Sequence, residues 1–380
     1  MTEISAKKLQ KSRPVHLMIF TLATEYGGTE TYVLSLAKLL RESATIKVVI
    51  ANDILEGKLR DAGVPLIKLP PADGLRKLKQ LYRAVRALVA ASRKGELNTL
   101  LVNGYSEIIL IPIARALGHR AFATRHLSFR IEAAKWPVML RRHLALLLYQ
   151  IVAPSASGII AVSEAVASDL LEQSYVPLKD VTVIANWVDA DCIRKQMPRA
   201  NDSGPVRLLY VGRLVQFKGL GTLITALQMI LKKGRSKTAV HLDVIGAGPD
   251  DALFKTMAAD LPVTFHGLRK DVGFFYRQAD VFINPSMGPE GMPLVTLEAM
   301  ASGLPCLLSD LPVHSEVAGG GAALMFIHGS VESLATQLAA LVDSASLRQD
   351  LAERSMERIM ERFTEDRARS AYRKALALEA

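Results

Sequence analysis

The segment PEGMPLVTLEAMASGLPCLLSD, residues 289–310, places two glutamates in different surroundings. Glu290 lies in a turn that contains glycine and proline, where its carboxylate would be exposed to a cleft or to solvent. Glu298 follows after seven intervening residues, inside an apolar stretch that is predicted to form a helix with Pro293 at its first position. Because burying an unpaired carboxylate costs free energy, Glu298 requires either a hydrogen-bond donor such as a sugar hydroxyl or a structural salt bridge.

The start of this predicted helix is also suited to binding an anion. The first backbone N–H groups of a helix have no partner within it, and here they belong to Met292, Leu294 and Val295. Gly291, just before them, permits close approach to the backbone. A ligand that lies between the two carboxylates would therefore meet backbone donors.

Two cations bracket a second short loop, GRLVQFKG at residues 212–219. Arg213 presents a planar fork that grips two phosphate oxygens, and Lys218 is a compact point charge. The loop directly follows a predicted strand, so the pair would suit a diphosphate. A solvated pair of surface charges is the alternative.

Glycines follow two further predicted strands. Gly27 and Gly28 stand between the first strand and a helix, and Gly246 and Gly248 follow the strand that ends near residue 245. Such loops let an anion approach the backbone, although plain tight turns have the same composition. The first loop lacks the spacing of the G-x-G-x-x-G dinucleotide fingerprint.

A histidine stands at the end of another predicted strand. The stretch ATRHLSFR, residues 123–130, contains His126 between Arg125 and Arg130. The two arginines would meet an anionic acceptor, and a purely structural histidine is the alternative reading of His126.

These loops need a scaffold that brings strand ends together, and the sequence predicts one. Short β-branched runs alternate with longer helical patterns, as in parallel α/β units. The predicted strands are residues 15–22, 47–52, 100–104, 120–126, 158–163 and 180–189, then 206–214, 241–248, 263–267, 280–286 and 304–310. Because ligands of open α/β sheets bind at the carboxyl ends of the strands, two such sheets would enclose a cleft lined by these loops.

The chain is predicted to form two doubly wound domains. Its 380 residues exceed the usual size of a single hydrophobic core. The polar segment 194–205, which contains two prolines and a glycine, is the best linker candidate. The predicted domains are residues 1–195 and 196–365, followed by a C-terminal helix at residues 366–380.

Several classes of protein are excluded by composition. Two distant cysteines, Cys192 and Cys306, form neither a disulfide framework nor a cysteine-rich zinc site, and they favour a reducing, cytoplasmic setting. No apolar run reaches the roughly 18 residues that span a bilayer. The most apolar stretch, residues 143–153, is predicted to be a core helix, and the N-terminal segment lacks the apolar stretch of a secretory signal.

The basic excess lies in the first half of the chain. The formal net charge is +10, with 27 Lys and Arg against 17 Asp and Glu in residues 1–195, and 20 of each in residues 196–380. This asymmetry indicates an anionic partner, such as a membrane surface, a phosphorylated glycan or a nucleic acid. Aromatic residues do not interleave with the basic run as a stacking platform requires, which argues against nucleic acid.

One segment of this half has an amphipathic pattern. In LRKLKQLYRAVRALV, residues 75–89, apolar side chains recur at helical spacing and the cations fall mainly on the opposite face. Such a helix either lies on an anionic bilayer or packs its apolar face on the sheet.

The motifs taken together resemble glycosyltransferase family 4, the retaining enzymes of the GT-B fold that use nucleotide-sugar donors. YVGRLVQFKG is similar to the family's G-R-L-x-x-x-K-G element, and the segment that begins at Glu290 is similar to its E-x7-E signature with the following E-A-M-A-x-G-x-P. VIANWVDADCI, VIGAGPD and YGGTE are similar to the family's N-G-V-D, G-x-G-P and N-terminal glycine loop. The resemblance covers most of the chain and is densest in the second half.

The resemblance implies roles for matching residues of the second domain, which would bind the donor. Arg213 and Lys218 would neutralise the diphosphate as the nucleotide leaves. Glu290 would contact hydroxyls of the transferred sugar, with the backbone of residues 291–295 facing sugar and phosphate. Glu298 would bond to the ribose.

The resemblance also implies a first domain that binds the acceptor, with the C-terminal helix packed back on it. Its glycine loop, residues 27–28, would lie against the donor together with Gly246, and His126 would stand near the transferred sugar. This chain departs from the family pattern at Trp187, where Gly is usual, and at Met292, where Phe is frequent.

The predicted function is transfer of a hexose from a nucleotide-diphosphate sugar, with retention, to a glycan or lipid-linked acceptor. The family favours UDP-sugars over GDP-sugars, and the processes it implies are synthesis of cell-surface polysaccharide, lipopolysaccharide or glycolipid. No metal or other cofactor is expected, since cationic side chains would supply the electrophilic help. The expected location is the cytoplasm, peripheral to the inner face of the membrane. A nucleotide-sugar epimerase of the same architecture and a catalytically idle partner subunit are the alternatives.

Overall fold

The structure is a computed structural model that describes residues 15–24, 26–72, 76–104, 106–127, 147–173, 181–189, 204–232 and 238–378. The predictions that concern Arg130, Cys192 and most of the linker at 194–205 fall outside these residues.

The first half of the described chain forms a parallel sheet with strand order β3-β2-β1-β4-β5-β6-β7. The strands are β1 (His16–Thr21), β2 (Thr45–Ile50), β3 (Leu66–Lys68), β4 (Thr99–Val102), β5 (Arg120–Arg125), β6 (Gly158–Ala161) and β7 (Val181–Val183). The helices are α1 (Gly28–Leu40), α2 (Asp53–Asp61), α3 (Arg76–Arg93), α4 (Leu110–Ala116) and α5 (Glu164–Gln173).

The second half repeats this arrangement in a parallel sheet with strand order β10-β9-β8-β11-β12-β13. The strands are β8 (Val206–Val211), β9 (Val240–Ile245), β10 (Val263–Gly267), β11 (Val281–Asn284), β12 (Cys306–Ser309) and β13 (Leu324–Phe326). The helices are α6 (Leu220–Lys232), α7 (Asp251–Met257), α8 (Val272–Gln278), α9 (Leu294–Ala301), α10 (Pro312–Val317), α11 (Val331–Asp343), α12 (Ala345–Arg362) and α13 (Glu365–Ala375).

The central strands are apolar on both faces, as expected where helices cover both sides of each sheet. In β1, Leu17 to Phe20 are at most 1% exposed, and β12 is buried along its whole length. Continuous apolar runs of this kind distinguish buried parallel strands from the alternating pattern of half-exposed sheets.

Each sheet has a point where the strand order reverses direction. In the first sheet it lies between β1 and β4, and in the second between β8 and β11. At such a point the loops leave the two neighbouring strands towards opposite faces, which opens a crevice at their carboxyl ends. The loops with Gly27 and Gly28, with Arg213 and Lys218, and with Glu290 follow β1, β8 and β11, whereas His126 follows β5 and Gly246 follows β9.

The last helix returns to the first sheet. The Tyr372 hydroxyl of α13 lies 2.5 Å from the Tyr32 hydroxyl of α1, and the Arg369 Nε donates to the Leu39 carbonyl at 3.4 Å. Before this helix, the Val188 N–H donates to the Phe363 carbonyl at 3.0 Å. The chain therefore crosses between the two halves at residue 188 and again near residue 364.

Three details differ from the sequence prediction. The strand predicted at residues 180–189 ends at Val183, because the segment that follows crosses to the other half of the chain. The three-residue strands β3 and β13 were not predicted, since so short a run carries no periodicity. Within the predicted core helix 143–153, the described residues Tyr149, Val152 and Ala153 are buried in a hydrophobic cluster, whereas Leu147 and Ile151 are 52% and 68% exposed.

Among the described residues, no helix combines the length and the apolar character needed to cross a bilayer.

Candidate functional site

The two charged motifs of the second half meet at the carboxyl ends of β8 and β11. Lys218 ends the short 3-10 turn Gln216–Lys218 that follows β8, and Glu290 lies in the loop between β11 and α9. The Lys218 Nζ donates to Glu290 Oε1 at 2.5 Å. Two elements 72 residues apart in sequence are thereby joined at the point where the strand order reverses.

The prediction that Glu290 is exposed is wrong, because its side chain is only 7% exposed and that of Lys218 is 23% exposed. Burial raises the pKa of the Glu290 carboxyl, but the charge of Lys218 and hydrogen bonds from Lys218 and Ser286 outweigh it and leave the pKa below its usual value. The carboxylate is therefore ionised at neutral pH. The Glu290 carboxylate can therefore accept hydrogen bonds from sugar hydroxyls, while the partly exposed Lys218 ammonium is available to a phosphate.

Arg213 lies on the same loop, and a hydrogen bond from a buried tyrosine fixes its backbone. The buried Tyr210 hydroxyl donates to the Arg213 carbonyl at 3.0 Å. Gly246 stands against this loop with φ +140°, and a Cβ there would lie 1.9 Å from the Gly212 carbonyl oxygen. Only glycine fits this position, so the close approach of the two strand-end loops depends on it.

The α9 helix begins at Leu294, one residue later than predicted, with Pro293 as its N-cap. Thr296 and Leu297 donate to the Pro293 carbonyl at 3.0 and 3.2 Å, so the N–H groups of Leu294 and Val295 precede the first hydrogen bonds of the helix. Gly291 and Met292 are buried just before them. The predicted backbone donors therefore follow Glu290 directly in the chain.

Glu298 has the hydrogen-bond donor that its burial requires, and this donor comes from the protein itself. The Tyr276 hydroxyl of α8 lies 3.0 Å from Glu298 Oε2 and 3.2 Å from the Val295 carbonyl oxygen. Burial raises the pKa of the Glu298 carboxyl. The predicted bond to a ribose would use the carboxylate's remaining acceptor capacity.

Across the cleft, His126 directly follows β5, as the sequence predicts. Its Nε2 lies 2.6 Å from Asn103 Oδ1, at the end of the neighbouring β4. Because an amide oxygen only accepts, Nε2 carries the proton and Nδ1 remains an acceptor. Burial, and then the charge of Arg125, lower the pKa of His126 to about 3, so the imidazole is neutral at physiological pH.

The lowered pKa of His126 gives a test by stability against pH. Below pH 6.5 the unfolded chain binds a proton that the folded imidazole cannot take, so stability falls as the pH drops from 6.5 towards 3. One such group contributes at most about 1.4 kcal/mol per pH unit. Urea unfolding of His126→Gln between pH 7 and 4 should show a shallower loss than the wild type. An equal loss in both proteins would mean that His126 titrates normally.

The two halves of the chain touch at Gly291. A Cβ on Gly291 would lie 1.6 Å from the His126 carbonyl oxygen and 3.3 Å from Val162 Cγ2. Beside this contact, the buried Asn186 donates from Nδ2 to the Met292 carbonyl at 2.8 Å. The loop that contains Glu290 is therefore clamped against the strand end that contains His126.

The remaining predicted residues have varied placements. Gly27 is the N-cap of α1, and its N–H donates to Glu30 Oε2 at 2.9 Å, while Gly28 has open space where a Cβ would stand. Arg125 is 4% exposed, donates to the Leu127 carbonyl and stacks over the Tyr149 ring at 4.7 Å. This interior position gives no support to the predicted contact between Arg125 and an acceptor, and Arg130 lies outside the described residues.

Residues that sequence reasoning missed are those that support the motifs from other segments. Asn103 orients His126, Tyr276 binds Glu298, and Asn186 clamps Met292. The Asn103 Nδ2 and Asn186 Oδ1 are buried and have no hydrogen-bond partner among the described residues. The strand-end position of Asn103 and the match of Asn186 to the family's N-G-V-D segment were the available signals, and Tyr276, within α8, had none. Each contact joins segments more than 20 residues apart.

Two Rossmann-like parallel sheets that meet at their strand ends, with cations and carboxylates at the point of contact, define the GT-B class of glycosyltransferases. Two family models match the chain, one for each half. "Glycosyltransferase Family 4" matches residues 26–191, and "Glycosyl transferases group 1" matches residues 205–344. The chain belongs to this glycosyltransferase family.

Relatives and solved structures agree with this assignment. The chain is 26% identical over 363 residues to a phosphatidyl-myo-inositol mannosyltransferase of Mycolicibacterium smegmatis, covering 88% of this chain and 86% of the relative. It is 29% identical over 212 residues to the lipopolysaccharide core biosynthesis glycosyltransferase LpsE of Rhizobium meliloti, covering 52% and 58%. The fold matches that of Anabaena HepE in complex with UDP and glucose, with a TM-score of 0.79 at 17% identity, covering 96% of this chain and 99% of HepE.

Proposed function

We propose that this glycosyltransferase moves a hexose from a UDP-sugar, with retention of anomeric configuration and without a metal ion, to a glycan or lipid-linked acceptor. The observation that carries the proposal is the Lys218–Glu290 pair, which stands where the β8 and β11 loops meet, next to Gly291 and its contact with the His126 carbonyl. The domain bounds 1–195 and 196–365 remain a prediction.

In this proposal the diphosphate lies against the second half of the chain. Arg213 and the partly exposed Lys218 would offset the charge that develops on the departing diphosphate, and the first amides of α9 would donate to its oxygens. Because these cations and amides supply electrostatic stabilisation directly, the reaction would need no metal.

The sugar would lie between Glu290 and His126. The ionised Glu290 would accept hydrogen bonds from sugar hydroxyls. On the opposite side of the sugar, the unprotonated Nδ1 of His126 would accept one further hydrogen bond from a hydroxyl. The remaining acceptor capacity of Glu298 would bind the ribose.

The choice of UDP is supported by the solved structures of similar fold, since HepE was solved with UDP and with UDP-glucose. A polysaccharide, lipopolysaccharide or glycolipid product is supported by the names of the relatives, which include the inositol-lipid mannosyltransferase and LpsE.

Proton NMR of the reaction on an α-linked UDP-sugar tests the chemistry. The wild-type protein, in EDTA, should give an α-linked product when a suitable acceptor is supplied. A β-linked product would contradict retention. Conversion of the UDP-sugar to its epimer without an acceptor would identify the epimerase instead.

The acceptor side has a surface suited to an anionic bilayer. On α3, Leu78 and Tyr82 are 68% and 64% exposed, although apolar side chains at this spacing would be expected to pack on the sheet. Five exposed cations surround them: Arg76, Lys77, Lys79, Arg83 and Arg86. Exposed apolar side chains among cations suit the boundary between lipid headgroups and acyl chains. We therefore propose peripheral binding to the inner face of the membrane.

Sedimentation with vesicles tests this binding. The wild-type protein should sediment with phosphatidylglycerol vesicles at low salt and less at high salt, and Leu78→Ser with Tyr82→Ser should weaken binding roughly tenfold. The matched control is Leu253→Ser, since Leu253 is 46% exposed on α7 of the second half. No sedimentation of the wild type at low salt would contradict membrane binding.

A further inference from the structure

Behind His126 lies a cluster of three aromatic side chains from three separate segments. The Tyr32 ring of α1 meets the His126 ring edge-on, with centroids 4.5 Å apart. Trp187 packs against both Tyr32 and Tyr372, each at 5.7 Å, in T-shaped contacts. Tyr32, Trp187 and Tyr372 together are called the aromatic wedge below.

The aromatic wedge is buried, and its rings pack against one another. Tyr32, Trp187 and Tyr372 are 2%, 7% and 0% exposed. The hydroxyls of Tyr32 and Tyr372 lie 2.5 Å apart, and burial raises the pKa of Tyr32 to about 12. Both hydroxyls therefore stay protonated and share a hydrogen bond in an apolar core, where losing a partner is costly.

Tyr32 of the aromatic wedge packs against the ring of His126, and two other contacts hold its Nε2 and its backbone carbonyl. Asn103 accepts from Nε2 at 2.6 Å, and the backbone carbonyl of His126 lies against Gly291. The Tyr32 ring, whose plane makes an angle of 74° with the imidazole, adds a packing contact that supports the orientation of the ring. Without this contact the imidazole would be freer to turn about the Asn103 bond, which would displace Nδ1.

The wedge also depends on the C-terminal helix and on the crossing segment. Tyr372 lies on α13, and Trp187 lies between Asn186, which clamps Met292, and Val188, which pairs with Phe363. Trp187 stands where the family pattern has Gly, and its ring fills the space between Tyr32 and Tyr372. A small residue at 187 would leave the two tyrosines without their shared packing partner.

We propose that Tyr372 and Trp187 are positioning residues for the transfer reaction, which hold the His126 imidazole in its productive orientation through Tyr32. The inference rests on the role of His126 in the proposed function. It makes the C-terminal helix a support of the catalytic site.

The test compares kcat and donor KM in Tyr372→Phe, Tyr372→Leu and Trp187→Leu. A panel of UDP- and GDP-sugars first identifies the nucleotide sugar that the wild-type protein hydrolyses fastest. Turnover of every variant is then measured as release of the nucleotide from that nucleotide sugar. Donor KM should stay within about twofold, because the proposed contacts to the diphosphate and the ribose lie in the other half of the chain. We expect kcat to fall roughly fivefold in Tyr372→Phe and roughly 50-fold in Tyr372→Leu and Trp187→Leu, since small errors in orientation slow a reaction strongly.

A stability control separates positioning from loss of structure. Leu376→Ala removes a side chain that is 0% exposed in the same hydrophobic cluster but makes none of the ring contacts. It should lower the melting temperature at least as much as Tyr372→Phe and leave kcat within twofold. An equal loss of kcat in Leu376→Ala would overturn the proposal, because general loosening of α13 would then explain the effect.

A double-mutant cycle with His126→Gln shows whether the effect passes through His126. If Tyr372 acts through the imidazole, adding Tyr372→Leu to His126→Gln should lower kcat by less than threefold. Losses that multiply in full would overturn the proposal. Wild-type kcat in His126→Gln would instead contradict the role of His126, and no nucleotide release by the wild-type protein from any sugar would contradict the proposed function itself.

Discussion

Lys218→Met should abolish sugar transfer and also destabilise the protein. The substitution removes a cation that offsets the developing charge of the diphosphate, and loss of one such group lowers turnover roughly 100-fold or more. It also leaves the Glu290 carboxylate, 7% exposed, without its partner at 2.5 Å. Removing one partner of a buried pair costs about 3–5 kcal/mol, and the partial exposure of Lys218 reduces this to about 2–3 kcal/mol. Steady-state kinetics and urea unfolding measure the two effects.

Two comparisons separate catalysis from stability in this experiment. In Lys218→Met with Glu290→Gln, no unpaired charge remains, so most of the lost stability should return while turnover stays lost. Lys255→Met is the matched control, since Lys255 and Asp251 pair at 2.7 Å with side chains 55% and 37% exposed. It should cost less than about 0.5 kcal/mol and leave turnover unchanged. Turnover near the wild-type value in Lys218→Met would contradict the proposed role of this cation.

Gly291→Ala should block the reaction by holding the two halves of the chain apart. The new Cβ would lie 1.6 Å from the His126 carbonyl oxygen and 2.7 Å from its carbon, and backbone atoms cannot move aside as a flexible side chain can. The Glu290 loop must then shift away from His126, and a displacement near 1 Å costs roughly 100-fold in rate. Nucleotide affinity should change only a few-fold, because the diphosphate contacts lie within the second half.

Steady-state kinetics and nucleotide titration measure these effects of Gly291→Ala. The matched control is Gly57→Ala in α2, where no atom lies within 4 Å of the added Cβ. There alanine should stabilise the helix by up to about 1 kcal/mol without affecting turnover. Wild-type turnover in Gly291→Ala would mean that the contact with His126 is absent when the sugar is transferred.

The sequence predicted the scaffold well because buried parallel strands are continuous apolar runs. All eleven predicted strands overlap an observed one, whereas the three-residue edge strands β3 and β13 were not predicted. The equally short β7 was found because it lies in the longer apolar run at residues 180–189. The positions of Arg213, Lys218 and His126 at strand ends followed from the same pattern. Local sequence determines where a strand ends, and the parallel fold then brings those ends together.

The contacts within the site could not be predicted, because they join distant segments. Glu290 was expected to be exposed, since nothing local shows that Lys218, 72 residues earlier, pairs with it. Arg125 next to His126 suggested an acceptor contact, but strand residues alternate in direction, and its side chain lies in the interior against Tyr149. From the sequence, Trp187 is only a departure from the family pattern. Its contact with Tyr372 depends on the return of α13 to the first half of the chain.

The central claim is that the cleft binds a nucleotide sugar without a metal ion. The most direct test measures the melting temperature of the wild-type protein in EDTA, with UDP, GDP, ADP and their nucleotide sugars. A ligand at about 100 times its dissociation constant stabilises the folded state by roughly 2.7 kcal/mol, which raises the melting temperature measurably. We expect such a rise with UDP and a UDP-sugar that excess EDTA does not diminish. No rise with any nucleotide, or a rise that appears only when a divalent metal is added, would contradict the claim.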